Sequence, residues 1–137
     1  KLSIVSTLYK SAPHLLEFHR RISLIASQVA GNDYEIVLVN DGSPDESLEI
    51  SVGLARVDHH LTVIDLSRNF GHHKAMMTGL KNASGDYIYL IDSDLEEQPE
   101  WLLEFEERMN KDGCDLVYGI QVIRKGGVFE RYSGPIF

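Results

Sequence analysis

The chain has 137 residues, 43% of them hydrophobic and 25% charged, with only four prolines, which is the size and composition of one soluble globular domain and excludes a disordered or fibrous polymer. A net charge of −8 excludes nucleic acid as a partner and broad binding to an anionic membrane surface, because both require a basic face to displace counterions. The lone Cys114 rules out an internal disulfide, and no segment has the pattern of a signal peptide or of a membrane span of about twenty apolar residues.

In chain order, Leu2 to Leu8 is an apolar, β-branched run that predicts a strand, and Ser11-Ala12-Pro13 predicts the capped opening of a helix. Leu15, Leu16, Phe18, Ile22, Ile25, Ala26 and Val29 supply that helix with an apolar face, and Gly31-Asn32 ends it. Tyr34 to Val39 predicts a second strand. The following Asn40-Asp41-Gly42-Ser43-Pro44-Asp45-Glu46 combines a turn with an N-cap serine, a first-turn proline and two acids suited to a helix N-terminus, so a second helix is expected as far as about Arg56. Leu61 to Leu66 predicts a third strand, Gly71 to Asn82 a third helix, and Tyr87 to Ile91 a fourth strand. Pro99 opens an acidic helix with Trp101, Leu102, Phe105 and Met109 on one face, and Cys114 to Gly119 predicts a fifth strand in which Cys114 is a buried structural thiol.

Strands that alternate with helices and lack hairpin turns imply a mostly parallel α/β sheet covered on both sides. Ligands of such sheets bind beyond the carboxyl ends of the strands. Those ends read Ser6-Thr7-Leu8-Tyr9, Asn40-Asp41-Gly42-Ser43, Ser67-Arg68-Asn69-Phe70-Gly71-His72-His73-Lys74 and Asp92-Ser93-Asp94-Leu95-Glu96. An aromatic ring and a hydroxyl suit a base, a carboxylate accepts from the base N–H, and Arg68 with a helix N-terminus at Gly71 suits phosphate. His72 and His73 read as a solvated helix start.

The acidic excess is local. Between Asp92 and Glu107 stand eight carboxylates and no Lys or Arg. Alternate residues of an extended segment face one side, so Asp92 and Asp94 can converge on a divalent ion with Glu96 next in phase. A hard cation held by few protein oxygens and completed by phosphate oxygens suits a nucleoside diphosphate. Glu100, Glu104 and Glu107 fit a solvated helix face.

The order and spacing of Val39-Asn40-Asp41-Gly42-Ser43-Pro44-Asp45, Leu66-Ser67-Arg68-Asn69-Phe70-Gly71 and Asp92-Ser93-Asp94-Leu95-Glu96-Glu97-Gln98-Pro99-Glu100 resemble glycosyltransferase family 2, most closely the polyprenol-phosphate transferases of the dolichyl-phosphate mannose synthase type. The resemblance spans essentially the whole chain. It implies a Rossmann-like GT-A fold and an inverting transfer of sugar from a nucleotide-diphosphate donor, of UDP or GDP type with UDP preferred. The acceptor it implies is a polyprenyl phosphate or a glycan, in polysaccharide or cell-envelope biosynthesis. It places Thr7, Tyr9 and Asp41 at the nucleoside, Arg68 and Asn69 beside the nucleotide, Asp92 and Asp94 at the diphosphate and metal, and Glu96 where relatives carry a metal-completing glutamine. Catalytic roles fall to Asp92, Asp94 and Arg124, with Arg131 in the same acceptor-side region. Mg²⁺ or Mn²⁺ is the implied cofactor, with Asp94 and Glu96 as its ligands.

The sequence departs from the family pattern at Thr7, where many members have proline, at Lys10-Ser11 in place of Asn-Glu, at Asn40 in place of aspartate, and at Gln121 in place of arginine. None of these removes an essential carboxylate. The expectation is a single GT-A domain over residues 1–137, cut short on its acceptor side, cytoplasmic or held at the inner membrane face by parts outside this chain. An apolar surface left by the missing side favours a homo-oligomer. The alternative is a noncatalytic nucleotide-sugar-binding or interaction module. A phosphoacceptor receiver domain fits poorly, because it needs an acidic pair where Ser6-Thr7 stands. A nucleotidyltransferase fits poorly too, because Leu8 to Pro13 is not a glycine-rich basic loop.

Overall fold

The structure, a computed structural model, describes residues 1–123 and 129–135, with side chains described through residue 120. The chain divides into two compact units, Lys1–Pro99 and Glu100–Phe137.

The first unit alternates β1 (Leu2–Leu8), α1 (Ala12–Ala30), β2 (Tyr34–Asn40), α2 (Ser47–Val57), β3 (Leu61–Asp65), α3 (His72–Asn82) and β4 (Tyr87–Leu90). The strands form one parallel sheet in the order β3-β2-β1-β4. Its two central strands are buried almost throughout, as in a parallel sheet with helices on both faces. Ile4, Val5, Leu8, Leu38 and Val39 are accordingly excluded from solvent. Each such side chain contributes about 1.5–3 kcal/mol of transfer free energy. The fourth strand ends one residue before expected, yet the Ile91 N–H still bonds the Val5 carbonyl at 3.1 Å.

In α1 the buried residues are Leu15, Phe18, Ile22, Ile25 and Ala26, the three-and-four spacing of a helix with one face on a core. Leu16, expected on that face, is 62% exposed, because one residue beyond Leu15 is a rotation of about 100° around the helix. Gly31, at φ 61°, ends the helix, with its N–H on the Ser27 carbonyl. The opening at Ala12 matches expectation, but the cap does not. Ser11 makes no cap to the helix; its hydroxyl meets Ser93 instead, at 2.9 Å.

The second helix also starts later than its apparent cap. Ser43 Oγ accepts from the Lys10 N–H and donates to Asp45, so it is not available to a helix beginning at Pro44. Asp45 takes the organising role: its carboxylate accepts from the Ser47 N–H and hydroxyl and from the Ala12 N–H. Partial burial would raise the Asp45 pKa, but these hydrogen bonds outweigh it and hold the group at about 2. One carboxylate thus ties the starts of α1 and α2 together behind the carboxyl ends of β1 and β2.

The third helix lies close against the sheet. A Cβ on Gly79 would collide with the Val5 side chain and crowd Val39, so glycine sets how near α3 approaches β1 and β2. Ala75 packs in the same cluster.

The second unit holds α4 (Trp101–Asp112), β5 (Val117–Ile123) and β6 (Phe129–Pro135). The acidic helix forms as expected and ends at Gly113 in the left-handed conformation, φ 61°. Two expectations are corrected. The fifth strand begins at Val117 rather than Cys114, because Cys114 to Leu116 are spent leaving the helix, and Cys114 is half-buried rather than fully enclosed. The strand is also not a parallel member of the main sheet: it pairs antiparallel with β6, Ile120 opposite Tyr132.

Candidate functional site

The strand order reverses at β1, whose neighbours are β2 on one side and β4 on the other. The crevice outside the carboxyl ends of β1 and β4 is therefore the topological switch point, where open α/β sheets hold ligands. Parallel pairing brings the ends of all four strands to this one edge. Thr7, Tyr9, Asp41, Arg68, Asn69, Asp92, Asp94 and Glu96 all lie on the segments that leave it.

At the end of β1, Thr7 is half-buried, whereas Tyr9 is 49% exposed with the Lys10 ammonium 5.5 Å from its ring centre. Lys10 itself has φ 54°, an uncommon left-handed conformation for a residue with a Cβ. The Thr7 hydroxyl lies 3.2 Å from Nδ1 of His72, at the first position of α3. The other ring nitrogen of His72 lies 3.9 Å from Asp92. His72 therefore spans the crevice between the ends of β1 and β4, and it is not merely a solvated helix start. The position of His72, at the close of a strand-end loop, is the signal by which the sequence could have revealed it.

Asp41 is 3% exposed, and its Oδ1 accepts the Phe70 N–H at 2.8 Å. Gly42 follows at φ 59°, and a Cβ there would run into the backbone of Asn69 and Arg68. Only glycine lets the loop after β3 lie this close to the end of β2. Within the loop, the Arg68 guanidinium sits 4.3 Å over the Phe70 ring, and the Asn69 side chain accepts the Gly71 N–H at 3.1 Å. Arg68 and Asn69 are both exposed. Asp41 thus has a supporting role that its expected contact with a base does not include.

Beyond β4 burial alternates: Asp92 exposed, Ser93 buried, Asp94 exposed. Ser93 faces inward and anchors the segment, donating to the Thr7 carbonyl at 3.1 Å and approaching the Ser11 hydroxyl. The two carboxylates face outward, as the extended pattern requires. Asp94 Oδ1 accepts the Glu96 N–H at 3.0 Å in a turn that holds Leu95 at φ 65°. A left-handed residue with a side chain costs on the order of 1 kcal/mol and persists where its surroundings enforce it.

These exposed oxygens are the hard donors that Mg²⁺ or Mn²⁺ takes. They are not drawn into a cage of three: among the described residues, the set of three His, Cys, Asp or Glu ligand atoms within 4.8 Å of one another is at Asp58, His59 and His60. A site with one or two carboxylates fits an ion that shares its shell with substrate phosphates. Arg124 lies outside the described residues, as does the side chain of Arg131.

The sequence profile of glycosyl transferase family 2 matches residues 3–136. A Mycobacterium tuberculosis protein classed with the glycosyltransferases is 50% identical over 99% of this chain and 40% of its own length. An undecaprenyl-phosphate 4-deoxy-4-formamido-L-arabinose transferase of Salmonella paratyphi B is 34% identical over 99% of this chain and 41% of its own. Among solved structures, S. aureus TarS in complex with UDP-GlcNAc is similar with a TM-score of 0.67 and 28% identity, over 85% of this chain and 33% of that one. A Pyrobaculum calidifontis mannosyltransferase in complex with GDP-Man and Mn²⁺ shares the fold, with a TM-score of 0.61 and 22% identity over 68% of this chain and 27% of that one. The chain thus spans about two fifths of the length of the curated relatives it matches. Among the described residues no helix is long and apolar enough to cross a membrane.

Proposed function

The chain belongs to glycosyl transferase family 2, and from that membership we propose that it is the donor-binding part of an inverting sugar transferase using a nucleoside-diphosphate sugar. The observation that carries the reading is the junction of Thr7, His72, Asp92 and Ser93 at the switch point, where the ends of β1 and β4 and the start of α3 meet. The base would lie toward Thr7, Tyr9 and Asp41, with the diphosphate toward Arg68, Asn69, Asp92 and the N-terminus of α3. Asp94 and Glu96 would hold Mg²⁺ or Mn²⁺, and the ion would supply charge stabilisation to the leaving diphosphate.

UDP is the preferred donor base, supported by the UDP-GlcNAc complex of TarS; the GDP-Man complex keeps GDP as the second choice. The acceptor we assign is a polyprenyl phosphate, in line with the name of the Salmonella relative. Such an acceptor arrives already anionic, so its oxygen can attack the anomeric carbon without a strong general base. Arg124 is the residue we assign to steer it, with Arg131 in the same acceptor-side region of the sequence. Place of action would be the cytoplasmic face of a membrane.

The direct test is transfer of radiolabelled sugar from UDP-GlcNAc, UDP-glucose or GDP-mannose to undecaprenyl phosphate by the full-length protein in detergent. Metal-dependent formation of a polyprenyl-linked sugar from one donor supports the reading. Donor binding without transfer to either a polyprenyl phosphate or a glycan acceptor favours a noncatalytic nucleotide-sugar module instead.

A further inference from the structure

A second polar cluster lies at the opposite edge of the same sheet, where α2 ends and β3 begins. Asp58 follows the last turn of α2, and His59 and His60 lead directly into β3. The three residues each offer a ligand atom, and these atoms lie within 4.8 Å of one another. Two imidazoles with one carboxylate form a donor set that suits zinc-class ions and not the all-oxygen shell of Mg²⁺ or Ca²⁺.

The surroundings have the form of a supported site. His60 Nδ1 lies 3.1 Å from Asp58 Oδ1, while His60 Nε2 is buried and has no hydrogen-bond partner among the described residues. An ion shared by Asp58 and His60 would take the place of the proton on Nδ1, the ring nitrogen that already faces the carboxylate. His19, from α1, lies 2.7 Å from the second Asp58 oxygen and fixes that carboxylate from the far side. The Tyr34 ring stacks on His60 at 4.0 Å and 5°, which sets the imidazole plane. The side chains of His19, Asp58 and His60 are only 17%, 16% and 12% exposed, so charges here are weakly screened, whereas His59 is exposed and gives an ion its path.

We propose that Asp58, His59 and His60 form a binding site for a zinc-class divalent ion, with His19 and Tyr34 as its supporting shell, separate from the donor edge. An ion there would clamp the end of α2 to the start of β3 and, through His19, to α1.

The probe is Zn²⁺ itself, titrated into the intact chain and followed by calorimetry and by imidazole ¹H–¹⁵N spectra. One equivalent is expected to bind and to shift the His59 and His60 ring signals, and an Asp92→Ala/Asp94→Ala variant is expected to retain it. His59→Ala, at an exposed position and checked for native circular dichroism, should weaken that binding at least about tenfold. Unchanged zinc affinity in His59→Ala, or complete loss of zinc in the Asp92→Ala/Asp94→Ala variant, would overturn the proposal. Neither result bears on nucleotide binding at the donor edge.

Discussion

Asp94 and Asp41 differ in what surrounds them, and their variants should differ accordingly. Asp94 is exposed, with one oxygen on the Glu96 N–H, so Asp94→Ala should leave folding within about 0.5 kcal/mol of the parent, as surface substitutions usually do. It should nevertheless remove the Mn²⁺ dependence of nucleotide binding. Asp41 is the reverse case. Because its buried carboxylate accepts the Phe70 N–H, Asp41→Ala leaves a polar group unpaired and should cost about 1–3 kcal/mol in urea unfolding, together with nucleotide affinity. His72 touches Thr7 and approaches Asp92 without being part of the sheet. His72→Ala should therefore lower Mn²⁺-nucleotide affinity severalfold by calorimetry while the melting temperature stays nearly unchanged. At this scale the sequence marks the residue types at the strand ends, as at Asp41, Asp92 and Asp94, and parallel pairing brings those ends to one edge. The partners were not legible: Asp41 with Phe70, and Ser93 with Ser11, join residues far apart in sequence, and no local pattern encodes such pairs.

Elements are more legible in this sequence than their ends. The four parallel strands follow from short apolar runs and α1 and α4 from helical periodicity, whereas α2 follows from the turn and cap residues before it. The start of α1 at Ala12 is as expected but lacks the Ser11 side-chain cap, and α2 starts past its apparent cap, because Ser11 and Ser43 spend their hydroxyls on tertiary bonds. The antiparallel pairing of β5 with β6 is not legible in the sequence, since a short run such as Cys114 to Gly119 carries no sign of strand direction. Asp45 gives this scale its own test. Its folded pKa, about 2 against a usual 3.8, means that its stabilising contribution is complete above pH 3.8 and is lost as the pH falls toward 2. Asp45→Ala should thus cost about 1–2 kcal/mol at neutral pH, and the deficit against the parent should shrink as the pH is lowered through that window. Gly42→Ala forces a side chain into the left-handed region and against the Asn69 backbone. It should displace the loop after β3 and weaken nucleotide binding about tenfold or more, with a lowered melting temperature.

For the whole molecule, the sheet edge assembles four segments that are each weak signals alone. Two acids one residue apart, an aspartate in a turn or an exposed tyrosine have ordinary structural explanations, and their meaning arises from the topology that brings them to one switch point. The profile of glycosyl transferase family 2 over residues 3–136 and the parallel sheet agree on the α/β fold, and the donor site at this edge is the proposal built on it. The curated relatives are about two and a half times as long as the matched region, so acceptor binding and membrane attachment belong to experiments on the full-length protein. Donor binding can be tested on the chain itself, by calorimetric titration with UDP and GDP in Mn²⁺, repeated after chelation and with Asp94→Ala. The expected result is saturable binding, tighter for UDP, that disappears on chelation and in Asp94→Ala. Binding that survives both chelation and Asp94→Ala, or no binding of either nucleotide by the folded chain, would contradict the assignment of this edge as a metal-dependent donor site.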